Sequence, residues 1–413
     1  MAEIRDFNRN QYLLKDKNKK SNVVTTDDPN DKRSAENMLA RHRQIKRNTV
    51  IFLVIIIGII FACSYFQWKN TVYTYYEVIQ QSDWERSQEA KCMRLGNMLF
   101  AYSKDGMSCT DIKGNMVWNQ TYEMQNPIVR ICDNTVAVGD YNGRNIYISN
   151  AQSGNLGKIE TTLPIRDFCV SANGIVAVVL DDSIVTAIYM YDSSGNRFAD
   201  FKTTMSKSGY PVAVDISDDG SLVGISYIKA EKGKVSSHIA FYNFSAVGQN
   251  YTDNLVSGYG YSEAIVPIIN FMNNDTVFAV ADNRLMFYKG RQKPENLTDI
   301  LLSEEIQSVY YSDDYIGLVY YNVSGDTTYK MEVYDTNATK VCQMDFDTEY
   351  TDIMFSEYGI VIRSDNECLI YDWEKRLKYE GDFLEKIECM LPNGSVSKYT
   401  LVTDDTIQQI ELR

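Results

Sequence analysis

The chain of 413 residues carries 41 Lys/Arg against 55 Asp/Glu, a formal net charge of −14. The charge is uneven: residues 1–47 hold 12 basic and 7 acidic side chains, which leaves −19 on the remaining 366. So acidic a body repels phosphate backbones and excludes nucleic-acid binding, while 30 tyrosines and abundant Val, Ile and Thr favour strands over helices.

The first segment, with "LLKDKNKKSNVVTTDDPNDKRS", is too polar to form a core, and residues 1–47 read as a mostly disordered basic tail. Within it, "SAENMLARHRQIKRN" from Ser34 predicts a short helix leading into the next element. That element is "NTVIFLVIIIGIIFACSYFQW", residues 48–68, which contains no charged side chain. About 20 helical residues span a hydrocarbon core of about 30 Å, and no A-x-A-like cleavage site follows. Arg41, Arg43, Lys46 and Arg47 cluster before it; Tyr65, Phe66 and Trp68 close it. The positive-inside bias then predicts a signal anchor with one transmembrane helix, its N-terminus in the cytoplasm and residues 69–413 outside the cell membrane.

Beyond the span, "ISDDGSLVGISY" (216–227) raises the question of a metal loop or a turn. Its form recurs in "ICDNTVAVG" (131–139), "CVSANGIVAVV" (169–179), "NFMNNDTVFAV" (270–280), "VYYSDDYIGLV" (309–319) and "IMFSEYGIVI" (353–362). Each is a strand, a polar turn and a second, Val/Ile-rich strand, which is hairpin grammar. Asp218 and Asp219 therefore belong to a turn, and the spacing of a calcium loop is absent, so no metal is expected. A third, aromatic strand ending in Asp or Asn follows each hairpin, as in "AIYMYDSSGN" (187–196) and "KMEVYDTNAT" (330–339), then a fourth such as "RFADFKT". Pro127, Pro164, Pro211 and Pro267 open successive units, where a missing N–H is tolerated.

Eight copies at a period of roughly 38–51 residues match four-stranded propeller blades. The expected fold is all-β, an eight-bladed β-propeller with seven blades as the alternative, over residues 69–413. A pair of stacked sandwiches accounts for the strand spacing but not for the repeated Pro and Tyr-Asp positions. The last unit lacks its outer strand, and "VYTYYEVIQ" (72–80) is predicted to supply it and close the ring.

Eight cysteines stand at 63, 92, 109, 132, 169, 342, 368 and 389 without a C-x-x-C or a dense framework. They read as small buried hydrophobes, with one or two disulfides as the alternative. The two histidines, His42 and His238, support no catalytic triad, and no nucleotide or zinc motif is present, so no cofactor is expected. Paired carboxylates in the funnel remain an open route to hydrolysis.

"TYEMQNPIV", "IETTLPI", "SGYPVAVDISDDGSLVGISY", "FYNFSAVGQN" and "YIGLVYYN" resemble an uncharacterised family of membrane-anchored, propeller-like proteins from anaerobic Gram-positive (clostridial) bacteria, known only as a domain of unknown function. The resemblance covers roughly residues 65–413. It implies a cell-envelope location and supplies no catalytic or binding residues.

The expected function is a non-enzymatic binding or scaffold protein for an envelope protein or wall polymer. A carboxylate-dependent glycan hydrolase or lyase, or a single-pass sensor, is the alternative. Candidate binding residues are Tyr122, Met124, Gln125, Tyr210, Tyr259 and Tyr261, placed on the face that carries the connections from one blade to the next. Tyrosine offers stiff contact area with a polar tip. The competing reading is that these rings pack between blades.

Overall fold

A computed structural model describes residues 29–413 except 85–88, 183–184, 205–207, 232 and 324. The chain divides into two units, Met1–Lys69 and Asn70–Arg413. In the first, one helix runs unbroken over Pro29–Lys69, about 60 Å at 1.5 Å per residue. Its Ala40–Lys69 portion, with a mean hydropathy of 2.7, is long and apolar enough to cross a membrane. The helix expected from Ser34 is present and begins five residues earlier, at Pro29. Pro29 suits a first helical position, Ala, Glu, Leu, Arg and Lys propagate the helix, and the apolar span extends from it. The rest of the tail lies outside the described residues.

The second unit is an eight-bladed β-propeller of eight four-stranded antiparallel sheets. Blades 1 to 7 span residues 91–121, 127–160, 165–204, 210–262, 268–301, 306–346 and 352–382, each ordered from inner to outer strand along the chain. Blade 8 takes three strands from residues 389–412, and its outer strand is Tyr76–Asp83. That strand pairs from Tyr76 with Leu412 to Asp83 with Thr406, with a register shift between Val78 and Gln80. The predicted ring closure is therefore present, four residues later than the expected start. Tyr73, ahead of it, makes a parallel bridge to Tyr379 in blade 7.

The second strands explain the runs of Val and Ile. In blade 3, Val176, Val178 and Leu180 pack with Ile146 and Ile148 of blade 2. Alternate residues Ala177 and Val179 pack with Val223 and Ile225 of blade 4. A strand buried on both faces is apolar at every position, so alternation disappears.

The turn residues have equally local reasons. Asp219 Oδ1 accepts hydrogen bonds from the Ser221 N–H at 3.0 Å and from Ser217 and Ser221 hydroxyls at 2.9 and 2.7 Å. Gly220 adopts φ +71°, and a Cβ there would meet Ile175 Cδ1 at 2.7 Å. The Asp at the end of the third strand in blades 1, 3, 6 and 7 also recurs as one device. Asp111, Asp192, Asp335 and Asp372 each accept backbone N–H groups two and four residues on, at 2.8–3.0 Å. This fixes the turn that launches the outer strand.

Candidate functional site

Antiparallel order gives the propeller two faces. One carries the hairpin turns between first and second strands and the turns between third and outer strands. The other, the connection face, carries the passages from outer to next inner strand and the loops between second and third strands.

On the connection face, the passage between blades 1 and 2 is clamped by Asp140, whose Oδ1 accepts the Gln125 N–H at 3.1 Å and the Asn126 N–H at 2.7 Å. Gln125 is exposed there. It lines a groove of about 520 Å³ with Lys91, Tyr102, Pro127, Ile128 and Tyr141. Tyr141 lies under the Arg166 guanidinium, 5.9 Å from the ring centre. Arg166 in turn forms a forked pair with Asp181 Oδ2 at 2.6 and 3.0 Å. Burial, followed by the nearby Asp181 charge, raises the half-buried Tyr210 hydroxyl above its ordinary pKa. Gln125 and Tyr210 thus end a polar and aromatic strip that crosses blades 1 to 4.

The other candidates lie elsewhere. Tyr122 and Met124 are buried between blades 1 and 2; the Tyr122 ring stacks on Tyr147 at 5.5 Å, and its hydroxyl has no partner among the described residues. Tyr259 and Tyr261 belong to the outer strand Leu255–Ser262 rather than to a connection. The Tyr259 hydroxyl donates to the Pro294 carbonyl at 2.9 Å, and Tyr261 hydrogen-bonds Tyr288 at 2.5 Å. Tyr122 and Met124 do stand in the connection from blade 1 to blade 2, but they are buried there. Placement of Tyr259 and Tyr261 in a connection is corrected, since both belong to the outer strand and their rings pack between blades. Gly258 and Gly260 made this stretch look like a loop, yet both pair with the third strand, opposite Ala240 and His238.

The axis holds a channel of about 760 Å³ lined by the inner strands of all eight blades. Asp133, Asp218 and Asp313, from the hairpin turns of blades 2, 4 and 6, line it. Burial and mutual repulsion raise the Asp218 and Asp313 pKa values. Deeper in the same inner strand as this turn, Asp215 is pushed up to about 7 by burial, against hydrogen bonds from the Phe271 and Ile216 backbones. Its Oδ2 accepts the Phe271 N–H at 2.6 Å, joining the inner strands of blades 4 and 5.

Residues 69–412 match the Family of unknown function (DUF5711). The chain belongs to the DUF5711 family. No curated protein matches it by sequence. Among solved structures, Sqt1 from Chaetomium thermophilum is similar at 12% identity over 81% of this chain and 98% of its own, with a TM-score of 0.50. A eukaryotic initiation factor is similar at 11% identity over 78% and 83%, with a TM-score of 0.52. BamB from Moraxella catarrhalis matches at 12% identity over 82% and 100%, with a TM-score of 0.46. At these identities the likeness is one of fold, and the site of the DUF5711 propeller must be argued from its own residues.

Those residues include a group that the sequence reading missed. On the connection face of blades 4 to 8, Ile265, Leu301, Tyr321, Val323 and Leu384 are exposed, Leu301 by 74%, Val323 by 94% and Leu384 by 91%. Beside Ile265, a groove of about 480 Å³ between blades 5 and 6 is lined by Pro267, Ile268, Val280, Ile306 and Val309. The available signal was an isolated Leu or Val inside a polar connection, as in "YNVSGD" and "GDFLEK", where no strand pattern calls for it.

Proposed function

We propose that this DUF5711 protein is a single-span membrane protein. In this reading its propeller stands outside the cell membrane and binds an envelope protein partner through the connection face, without catalysing a reaction. The observation that carries the reading is the apolar groove between blades 5 and 6, with Leu301 exposed at the end of the blade 5 outer strand and Val323 and Leu384 exposed further round the same face. Apolar grooves and contiguous apolar surface mark interaction sites, which single exposed side chains by themselves do not. The strip from Gln125 to Tyr210 supplies the polar and aromatic contacts that would orient such a partner, as interface rims do. Anchoring is supported by the apolar portion Ala40–Lys69, by the basic cluster Arg41, Arg43, Lys46 and Arg47, and by Tyr65 and Trp68 at its far end.

The test is photo-crosslinking in membranes from a probe placed at Gln307, in the groove. A crosslinked partner that disappears in the Leu301→Ser, Val323→Asp, Leu384→Asp variant, with the melting temperature unchanged, supports the reading. Unchanged crosslinking in that variant overturns it. A wall polymer as ligand would instead appear as retention on purified wall fragments. The carboxylate-enzyme alternative has one observation of its own, the Asp215 carboxyl that holds its proton to about pH 7 inside the channel. It requires release of sugars from wall glycan that Asp215→Asn abolishes.

A further inference from the structure

We propose that Cys92 and Cys389 form a dithiol site that oxidises to a disulfide, stapling blade 8 to blade 1 beside the ring closure. Cys92 lies in the inner strand Lys91–Leu95 of blade 1, and Cys389 opens the inner strand Cys389–Ser395 of blade 8. These are the two blades on either side of the ring's junction, far apart in the chain and neighbours in space. Neither sulfur is in a disulfide, the two side chains pack in one cluster between blades 8 and 1, and the Cys92 side chain hydrogen-bonds Cys389. Both residues also line the axial channel, which gives a small reagent a route to them.

The surroundings favour a thiolate. Arg363 is fixed beside Cys389: its Nη1 donates to the Ile387 carbonyl at 3.0 Å, its Nη2 donates to the Glu388 carbonyl at 3.4 Å, and Asp352 holds its other edge. The hydrogen bond from Cys92, then the charges of Arg363 and Arg94, hold the Cys389 thiol below its ordinary value against burial and Asp352. Cys109, Cys132, Cys169, Cys342 and Cys368 all move the other way, because burial outweighs whatever favours the thiolate. Cys368 feels the same Arg363 charge and is raised, so the hydrogen bond from Cys92 is what sets Cys389 apart. Reactive cysteines are marked by a lowered pKa in an electropositive setting; buried structural cysteines are inert.

The oxidant is an external disulfide, RSSR. One thiolate of the pair attacks it, forming a mixed disulfide and expelling RS⁻; the second thiolate attacks the protein sulfur of that intermediate and expels the other RS⁻. One S–S bond breaks and one forms, two electrons pass to RSSR, and the two thiol protons leave with two RSH. The product ties residue 92 to residue 389 and so encloses nearly the whole propeller in one covalent loop. Cross-links that close long loops stabilise by constraining the unfolded chain. The inference is independent of partner binding.

The test uses the full-length protein in detergent, equilibrated with mixtures of reduced and oxidised glutathione and then alkylated. The expected result is a peptide pair joining Cys92 to Cys389, and a melting temperature several degrees higher in the oxidised sample that dithiothreitol reverses. Cys92→Ala should remove both the cross-link and the redox-dependent shift. The wild-type mapping stands by itself if that variant folds poorly. Recovery of both cysteines as separate glutathione adducts, or as free thiols under fully oxidising mixtures, would overturn the proposal.

Discussion

At the scale of single residues, the tyrosines separate by what their hydroxyls reach. Tyr261 is buried against Tyr288 and lies under Arg284, whose guanidinium is 5.5 Å from the ring centre. Tyr259 packs on Tyr288 at 5.0 Å and on Phe241 at 6.4 Å. Removing both rings opens a cavity between blades 4 and 5 and leaves the buried Tyr288 hydroxyl only its weak Met286 Sδ acceptor at 3.6 Å. Large-to-small changes of this kind cost roughly 3–5 kcal/mol each when fully buried. The Tyr259→Ala, Tyr261→Ala variant should therefore unfold at markedly lower denaturant concentration; an unchanged midpoint would return these rings to the list of binding residues. Asp215 gives a second, pH-dependent expectation. Its folded pKa of about 7 stands above the unfolded value of about 3.9. Its contribution is fully present below about pH 4 and is lost as pH rises through 7, because the folded state holds the proton that the unfolded state releases. His238 acts in the opposite sense: burial lowers its pKa, so its contribution is lost as pH falls below its unfolded value. The comparison of variant with wild type isolates the carboxyl. Asp215→Asn, which keeps an acceptor for the Phe271 N–H, should be more stable than wild type at pH 8 and equal to it near pH 4. A parallel pair of stability-versus-pH curves would reject the assignment.

At the scale of elements, the strand Tyr76–Asp83 is held more by its ladder than by burial, since most of its side chains are exposed. Its partners are the last strand, Thr406–Leu412, and the bonds around the C-terminus: the Arg413 N–H to the Tyr75 carbonyl at 2.8 Å and the Thr74 N–H to the Arg413 carbonyl at 3.0 Å. The Tyr76 ring adds a contact with Phe383 at 5.0 Å. A fragment beginning at Gln67 keeps this strand and should be monomeric with one cooperative unfolding transition. A fragment beginning at Ser87 loses a ladder of hydrogen bonds, each contributing roughly 1 kcal/mol, and exposes the edge of Thr406–Leu412. It should melt lower or aggregate in light scattering. Equal melting of the two fragments would mean that the strand does not close the ring.

At the scale of the whole molecule, the blade count was readable because the repeat rests on local physics. Strands buried on both faces are apolar throughout, an Asp builds the third-strand turn in four blades, and proline stands where four inner strands begin. The face of an individual tyrosine was not readable for a related reason. In an outer strand, period two separates residues 257, 259 and 261 from 258 and 260, but it does not say which side meets the next blade. The start of the closing strand was missed because "VYTYYE" is strand-like at every position, so pairing with the distant C-terminus decides where the ladder begins. The exposed Leu301, Val323 and Leu384 were invisible to periodicity because connections have none. The largest-scale expectation comes from the charge distribution rather than the repeat. The basic cluster lies before the apolar segment and the acidic propeller after it, so the positive-inside bias predicts a cytoplasmic placement of residues 1–47. Protease added to intact protoplasts should therefore digest the propeller, starting at exposed loops such as that around Val323, and leave an N-terminal epitope protected. Detergent should then expose the epitope as well. Protection of the propeller in intact cells, with loss of the N-terminal epitope, would reverse the orientation and remove the envelope partner from the functional reading.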